Sequence, residues 1–229
     1  MTSLQKWGKS VRTTIPVMAG YLVLGAGFGI LLRTRGYGLG WALAMSAFIY
    51  AGSMQYVAID LLTGGASLLM TAVTTLLVNA RHLFYGISML ERYRAAGRHA
   101  PYLIFSLTDE TYSLVAARED LTGAECFRIS LLDQLYWVLG TALGSLAGAY
   151  LDFNTTGIDF SLTALFLTVF TEQWLETKDH APALIGLGVS IVCRLLFGAD
   201  SFLLPTMGGM LCCLLVLDAR RTKKGGESV

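Results

Sequence analysis

Thr13 to Leu32 is a run of 20 residues without a charged side chain, and Gly36 to Ile59 is another of 24. A helix rises about 1.5 Å per residue, so about 20 residues cross a hydrocarbon layer roughly 30 Å thick. Largely apolar stretches follow at 61–80, 100–117, 129–151, 157–175, 181–198 and 201–217. Only 14% of the 229 residues are charged, against roughly 25% in a soluble domain. In lipid every backbone amide must find its partner within the chain, which selects helices. The expectation is an all-α, polytopic transmembrane helical bundle of seven or eight segments, one integral membrane domain over residues 1–229 with no soluble domain.

Several chemistries find no support. The region from Val11 to Ala26, with Lys6, Lys9 and Arg12 as a basic flank, has the pattern of a signal peptide, but further helices follow and it reads as a first span. A net charge of +1 argues against nucleic acid as partner. Cys126, Cys193, Cys212 and Cys213 match no metal spacing and read as small apolar residues. His82, His99 and His180 stand apart from other ligands, so neither a metal nor another cofactor is expected. Gly25, Gly27 and Gly29 miss the dinucleotide spacing and lie inside a span, so they read as packing. Gly140, Gly144 and Gly148 recur every four residues, beside a polar seam of Ser130, Gln134, Trp137, Thr141 and Ser145. Small residues let helices approach closely in lipid. No catalytic residue is expected, and the chain reads as no enzyme.

Orientation raises a conflict. Both termini are basic, with Lys6, Lys9 and Arg12 at one and Arg220, Arg221, Lys223 and Lys224 at the other, so both favour the cytoplasm. The loop carrying Arg92, Arg94 and Arg98 favours it too, yet three full spans before it would put it outside. Either one of the first three segments is re-entrant or broken, with breaks expected near Tyr50 to Ser53 and again near Asn79 to His82, or the charge rule fails for this chain. Broken helices are tolerated at membrane depth only where they are buried in protein or line a cavity.

The same region carries misplaced charge. Arg81-His82 and Asp109-Glu110 sit in apolar surroundings. A charge there costs about 2.5–3.5 kcal/mol on insertion scales, so such residues mark function by default. Arg81 is expected to pair with Asp109 or Glu110.

Four segments are more specific: Tyr50-Ala-Gly-Ser-Met-Gln-Tyr56, Ala80-Arg-His-Leu-Phe-Tyr-Gly86, Leu107-Thr-Asp-Glu-Thr-Tyr112 and Phe170-Thr-Glu-Gln-Trp-Leu175. In this order and spacing they resemble the AzlC family of branched-chain amino acid permeases, over roughly Ile15 to Leu217. Met54 and Tyr56 depart from the commoner small residue and Phe, which bears on side-chain preference. The resemblance implies export of branched-chain amino acids together with a small membrane subunit of the AzlD type.

A zwitterionic amino acid needs a cation or helix N-terminus for its carboxylate, an anion or carbonyls for its ammonium, and an apolar wall for its side chain. Arg81 offers a two-pronged clamp. Asp109 or Glu110 either holds the ammonium or carries a coupling proton, and repulsion between the two favours keeping one neutral. Tyr50, Ser53, Gln55, Asn79 and Tyr85 are neutral hydrogen-bonders for the same substrate site, and Phe84 and Phe105 are expected walls. Glu172 is either an ion-coupling residue or an interfacial cap, and Asp133 and Arg194 either pair or reach the interface. The competing reading of Arg81 and Asp109 is a salt bridge that locks two helices. The leading function is a secondary transporter subunit of the plasma membrane, multi-pass, driven by an ion gradient. The alternatives are a passive channel or facilitator, and a membrane scaffold subunit.

Overall fold

The architecture is that of a computed structural model, which describes residues 3–116, 118, 120–150 and 178–226, with scattered positions between 157 and 175. All regular structure among the described residues is helical. Contacts divide the chain into two units, 1–164 and 165–229. In the first lie α1 (Ser3–Thr34), α2 (Leu39–Phe48), α3 (Gly52–Thr63), α4 (Leu68–Val78), α5 (Arg81–Ala95), α6 (Ala100–Phe105), α7 (Asp109–Ala116) and α8 (Gly123–Tyr150), with a 3₁₀ turn at Gly97–His99.

Helices α1 and α8 form the axis of this unit, side by side and parallel. Lys9 meets Glu125 at 3.4 Å, the Tyr21 ring meets Trp137 at 5.4 Å, and Arg33 lies against Gly148. Glycine makes the approach close. A Cβ on Gly140 would stand 2.7 Å from the Leu22 carbonyl oxygen, and one on Gly25 2.8 Å from that of Trp137. Gly25 and Gly29 on α1 and Gly140, Gly144 and Gly148 on α8 are therefore packing elements, as expected. Helix α8 buries Ser130, Asp133, Thr141 and Ser145 and exposes Leu135, Leu139, Leu143 and Leu146. A helix that hides hydroxyls and shows leucines is built for a lipid surround.

This pair also serves as a ruler. Tyr21 is twelve residues from Lys9 and twelve from Arg33, about 18 Å from each along the helix. It marks mid-height. Helix α2 starts beside Arg33, where a Cβ on Gly38 would lie 3.5 Å from Nη1. It descends until Ser46 bonds Thr141 at 2.9 Å, and the chain then turns back at Tyr50 (φ 43°), the one non-glycine residue with positive φ among those described. Helix α3 climbs again, with the Tyr56 hydroxyl donating to the Leu24 carbonyl at 2.7 Å. The uncharged run from Gly36 to Ile59 is thus a re-entrant hairpin rather than one span.

Helices α4 and α5 run down the unit with a break at Asn79–Ala80, where i→i+3 bonds replace the α-helical pattern. Arg92 near the end of α5 donates to the Val115 carbonyl at 2.5 Å and to that of Arg118, and Arg118 donates to Thr13 at 2.8 Å, so this end lies beside Lys9. A second hairpin, α6–α7, then rises from the Lys9 end. His99 and Tyr102 pack on Phe127 near the base, Thr108 bonds Tyr21 at mid-height, and Val115 returns to Arg92. The expected breaks near 50–53 and 79–82 are both present, and a third, at Ser106–Thr108, splits the stretch 100–117 that read as one segment. The re-entrant α2–α3 hairpin brings Arg92 to the N-terminal side and removes the topological conflict.

In the second unit, α9 (Ala181–Ser201) and α10 (Leu203–Gly226) pack against each other, a Cβ on Gly209 standing 2.9 Å from Val189. Gly198 (φ 76°) interrupts α9. The segments 4–34 and 181–198 are long and apolar enough to cross a bilayer.

Candidate functional site

Three helices begin at mid-height: α3 at Gly52, α5 at Arg81 and α7 at Asp109. Helix N-termini expose unpaired N–H groups and carry about half a positive charge. One start is made room for by a distant contact and another is written locally. Gly52 admits the Trp137 ring, whose Cη2 would be 3.0 Å from a Cβ there. Thr108 caps α7, its hydroxyl accepting the Thr111 amide at 3.3 Å, and Asp109 and Glu110 follow in the first turn, where acids suit the dipole.

Arg81 joins the three starts. Its Nη1 lies 2.6 Å from Asp109 Oδ2, and its Nη2 donates to the Ser53 hydroxyl at 2.5 Å. The side chains of Arg81 and Asp109 keep 28% and 34% of their exposure, so a small polar molecule can reach the pair. Glu110 does not join it. Its Oε2 accepts the Tyr21 hydroxyl at 2.7 Å. Tyr21 also contacts the Thr108 hydroxyl at 2.6 Å, Thr108 bonds Thr111 at 3.1 Å, and Thr111 donates to Asp133 Oδ2 at 2.8 Å.

The remaining expected residues divide. Tyr50 is buried at the α2–α3 turn, its ring 6.4 Å from Phe105. Asn79 ends α4, its backbone carbonyl facing His82 Nδ1 at 3.2 Å. Tyr85 stacks on Tyr112 with centroids 4.5 Å apart. Gln55 is fully buried and both ends of its amide are committed, donating to Ser46 at 3.1 Å and accepting from Trp137 Nε1 at 2.9 Å. Its geometry is that of a tie between α2, α3 and α8. An apolar groove of about 620 Å³ opens beside Asn79 and His82, and its walls include Leu76, Leu83, Ile87, Ile104 and Leu107 rather than Phe84 or Phe105. Phe84 is 59% exposed on α5. Glu172 lies outside the described residues. Asp133 is bonded to Thr111, and the Arg194 guanidinium lies 5.5 Å from the centre of the Phe202 ring within the second unit. No group of three metal-ligating side chains occurs among the described residues.

Tyr21, Thr108 and Thr111 join the candidate site without having been singled out as single residues in the sequence, and Asp133 was weighed there only as a partner of Arg194 or an interfacial residue. One signal was available. Tyrosine in lipid favours the interface, and one at the centre of an uncharged span must have a buried partner for its hydroxyl.

A family model described as AzlC protein matches residues 16–151. The chain is 46% identical over 209 residues to a branched-chain amino acid transport protein, AzlC, of Bacillus subtilis, covering 89% of this chain and 82% of that one. It is 42% identical over 207 residues to an uncharacterized membrane protein of Helicobacter pylori, covering 89% and 91%. An inner membrane protein of Escherichia coli, YgaZ, is 26% identical over 222 residues, covering 90% and 87%. No solved structure matches.

Proposed function

We propose, since this chain belongs to the AzlC family, that it is a plasma-membrane secondary transporter subunit that exports branched-chain or similar small amino acids on an ion gradient. The observation that carries this reading is the partly exposed Arg81–Asp109 pair at the meeting of three helix starts. A zwitterion can exchange into such a pair. Its carboxylate takes the place of Asp109 on Arg81 and on the α3 and α5 amides, while Asp109 takes the ammonium. Both protein charges stay paired throughout, which avoids the cost of stranding either one in a low dielectric. The aliphatic side chain then lies toward the groove walled by Leu76, Leu83 and Ile104. Asp109 or Glu110 carries the coupling proton, with Glu172 as a further coupling residue and a small AzlD-type subunit as partner. The two hairpins with the full-length crossings fit a multi-pass chain of seven or eight segments acting as one membrane domain.

The test is flux of labelled leucine or valine in proteoliposomes holding the chain with its small partner, under imposed pH gradients. Arg81→Lys keeps the charge but loses the fork that reaches Ser53 and Asp109. Arg81→Lys and Asp109→Asn should each lower flux about tenfold or more, as loss of a charge-assisted hydrogen bond worth ~1.5–3 kcal/mol would. Asp109→Asn or Glu110→Gln should also abolish the response to pH in protein that is folded and assembled. Variants that fail to accumulate would make the pair a helix lock. Wild-type flux that ignores every gradient would make the chain a facilitator, and no flux at all a scaffold.

A further inference from the structure

The path from Glu110 through Tyr21, Thr108 and Thr111 to Asp133 contains four oxygen–oxygen contacts of 2.7, 2.6, 3.1 and 2.8 Å. Each contact needs one hydrogen between its oxygens. The three hydroxyls supply three, because a hydroxyl carries one hydrogen and an ionised carboxylate none. With both carboxylates ionised, one contact would set lone pair against lone pair at hydrogen-bond distance. With both protonated, the surplus hydrogen would find no contact left to fill and would sit on an outer carboxyl oxygen, such as Asp133 Oδ1, which has no hydrogen-bond partner among the described residues. One proton on one of the two acids completes the chain in either direction: Glu110 to Tyr21 to Thr108 to Thr111 to Asp133, or the reverse. The Thr111 amide that also reaches Thr108 at 3.3 Å fits both directions, since Thr108 then accepts two bonds and donates one.

The surroundings agree. Asp133 is fully buried, and among the described residues its Oδ1 has no hydrogen-bond partner and neither Asp133 nor Glu110 has an ion-pair partner. Arg81 on α5, the cation whose charge acts on Glu110, is held by Asp109. The other titratable groups facing the chain are Tyr50 at the α2–α3 turn, Tyr102 on α6 and Asp109 on α7. The Tyr50 hydroxyl beside Tyr21 carries its own hydrogen for that approach and adds none to the four contacts of the chain.

We propose that Glu110 and Asp133 share a single proton along the Tyr21–Thr108–Thr111 hydroxyl chain, which makes this chain a proton-binding site spanning α1, α7 and α8. In moving the proton from one acid to the other, each of the four hydrogens shifts across one contact, so charge crosses from Glu110 to Asp133 without any side chain leaving its place. Its use in driving transport rests on the transporter reading; the shared proton does not.

Infrared spectroscopy of the chain and its partner in lipid tests it, through the carboxylic C=O band at neutral pH and its shift in heavy water. The wild type should show the band. Glu110→Gln and Asp133→Asn should each remove it completely, because the new amide donates the missing hydrogen and the remaining acid ionises. Two independent carboxyls would instead leave the band in one of these variants, and that result, or no band in the wild type, overturns the proposal. If Asp133→Asn does not fold, Thr111→Val serves. It cuts the chain and leaves the proton on Asp133 alone, so adding Glu110→Gln should no longer change the band; a change would overturn the proposal. Flux read in the same samples separates the two claims. A band that behaves as expected beside pH-independent flux supports the shared proton and removes the coupling role. Proton-driven flux with a band that survives in Asp133→Asn overturns the shared proton and leaves the coupling elsewhere.

Discussion

Single residues in this chain carry weight through where the helices place them. Arg81 and Asp109 were legible because charge inside apolar sequence is rare. Tyr21 was not, because a lone tyrosine draws attention only when its height in the bundle is known. At the polar end, Glu125 shows the same dependence on position. It is the third residue of a capping box, its carboxylate accepting the Thr122 amide at 3.0 Å and hydroxyl at 2.8 Å while Lys9 stands 3.4 Å away. The Thr122 donors, beyond the span, hold its carboxyl down to about 2 from an ordinary 4.5. A folded-state value below the unfolded one means the contribution is full above about 4.5 and fades as the pH falls toward 2. Glu125→Gln should therefore lower stability by about 1 kcal/mol or less at pH 6, the usual worth of a partly exposed cap. The gap should close near the acid end of that window in thermal unfolding of the detergent-solubilised protein. A gap independent of pH would refute the account.

At the scale of elements, the strongest constraint is the glycine seam between α1 and α8. A Cβ on Gly144 would run into the Ala26 backbone, while one on Gly20, in the same helix α1, would meet nothing. Gly144→Ala should destabilise by about 1–3 kcal/mol or more, the cost of overpacking. Gly20→Ala should be neutral or stabilising by up to ~1 kcal/mol, since it only removes backbone freedom. Equal effects in unfolding titrations would mean the helices do not pack through this seam. The half-helices were harder to read. The ten residues of α2 rise about 15 Å, half of a bilayer core. Nothing apolar distinguishes them from the first half of a full span. The turn at Tyr50 is held by partners distant in sequence: Phe105, and the Trp137–Gln55–Ser46–Thr141 ladder. The break before α7 had a local signal, a capping threonine followed by two acids, that the length of the apolar stretch concealed.

For the whole molecule, the two hairpins enter from opposite ends, and this is open to direct test. In a background with the four native cysteines replaced by alanine, Arg35→Cys and Thr63→Cys should react with a membrane-impermeant maleimide from one side of the membrane. Arg98→Cys and Asp120→Cys should react from the other, the side of the N-terminus. Labelling of positions 35 and 63 from opposite sides would mean that α2 and α3 form one full crossing.

The sequence by itself determined the class of solvent, the helical architecture, the family, the presence of a break in the early segments and which charged residues stand in apolar surroundings. Those follow from quantities additive along the chain: the length of uncharged runs, the cost of a charge in lipid, the spacing of small residues. Only the tertiary structure decided that the run from Gly36 to Ile59 turns back at mid-height, that Glu110 faces Tyr21 rather than Arg81, and that Asp133 stands at the far end of the same hydroxyl chain. Each of these is a meeting of residues far apart in sequence. Such a meeting depends on the depth to which each half-helix descends, and depth is set by packing against α1 and α8 rather than by local propensity.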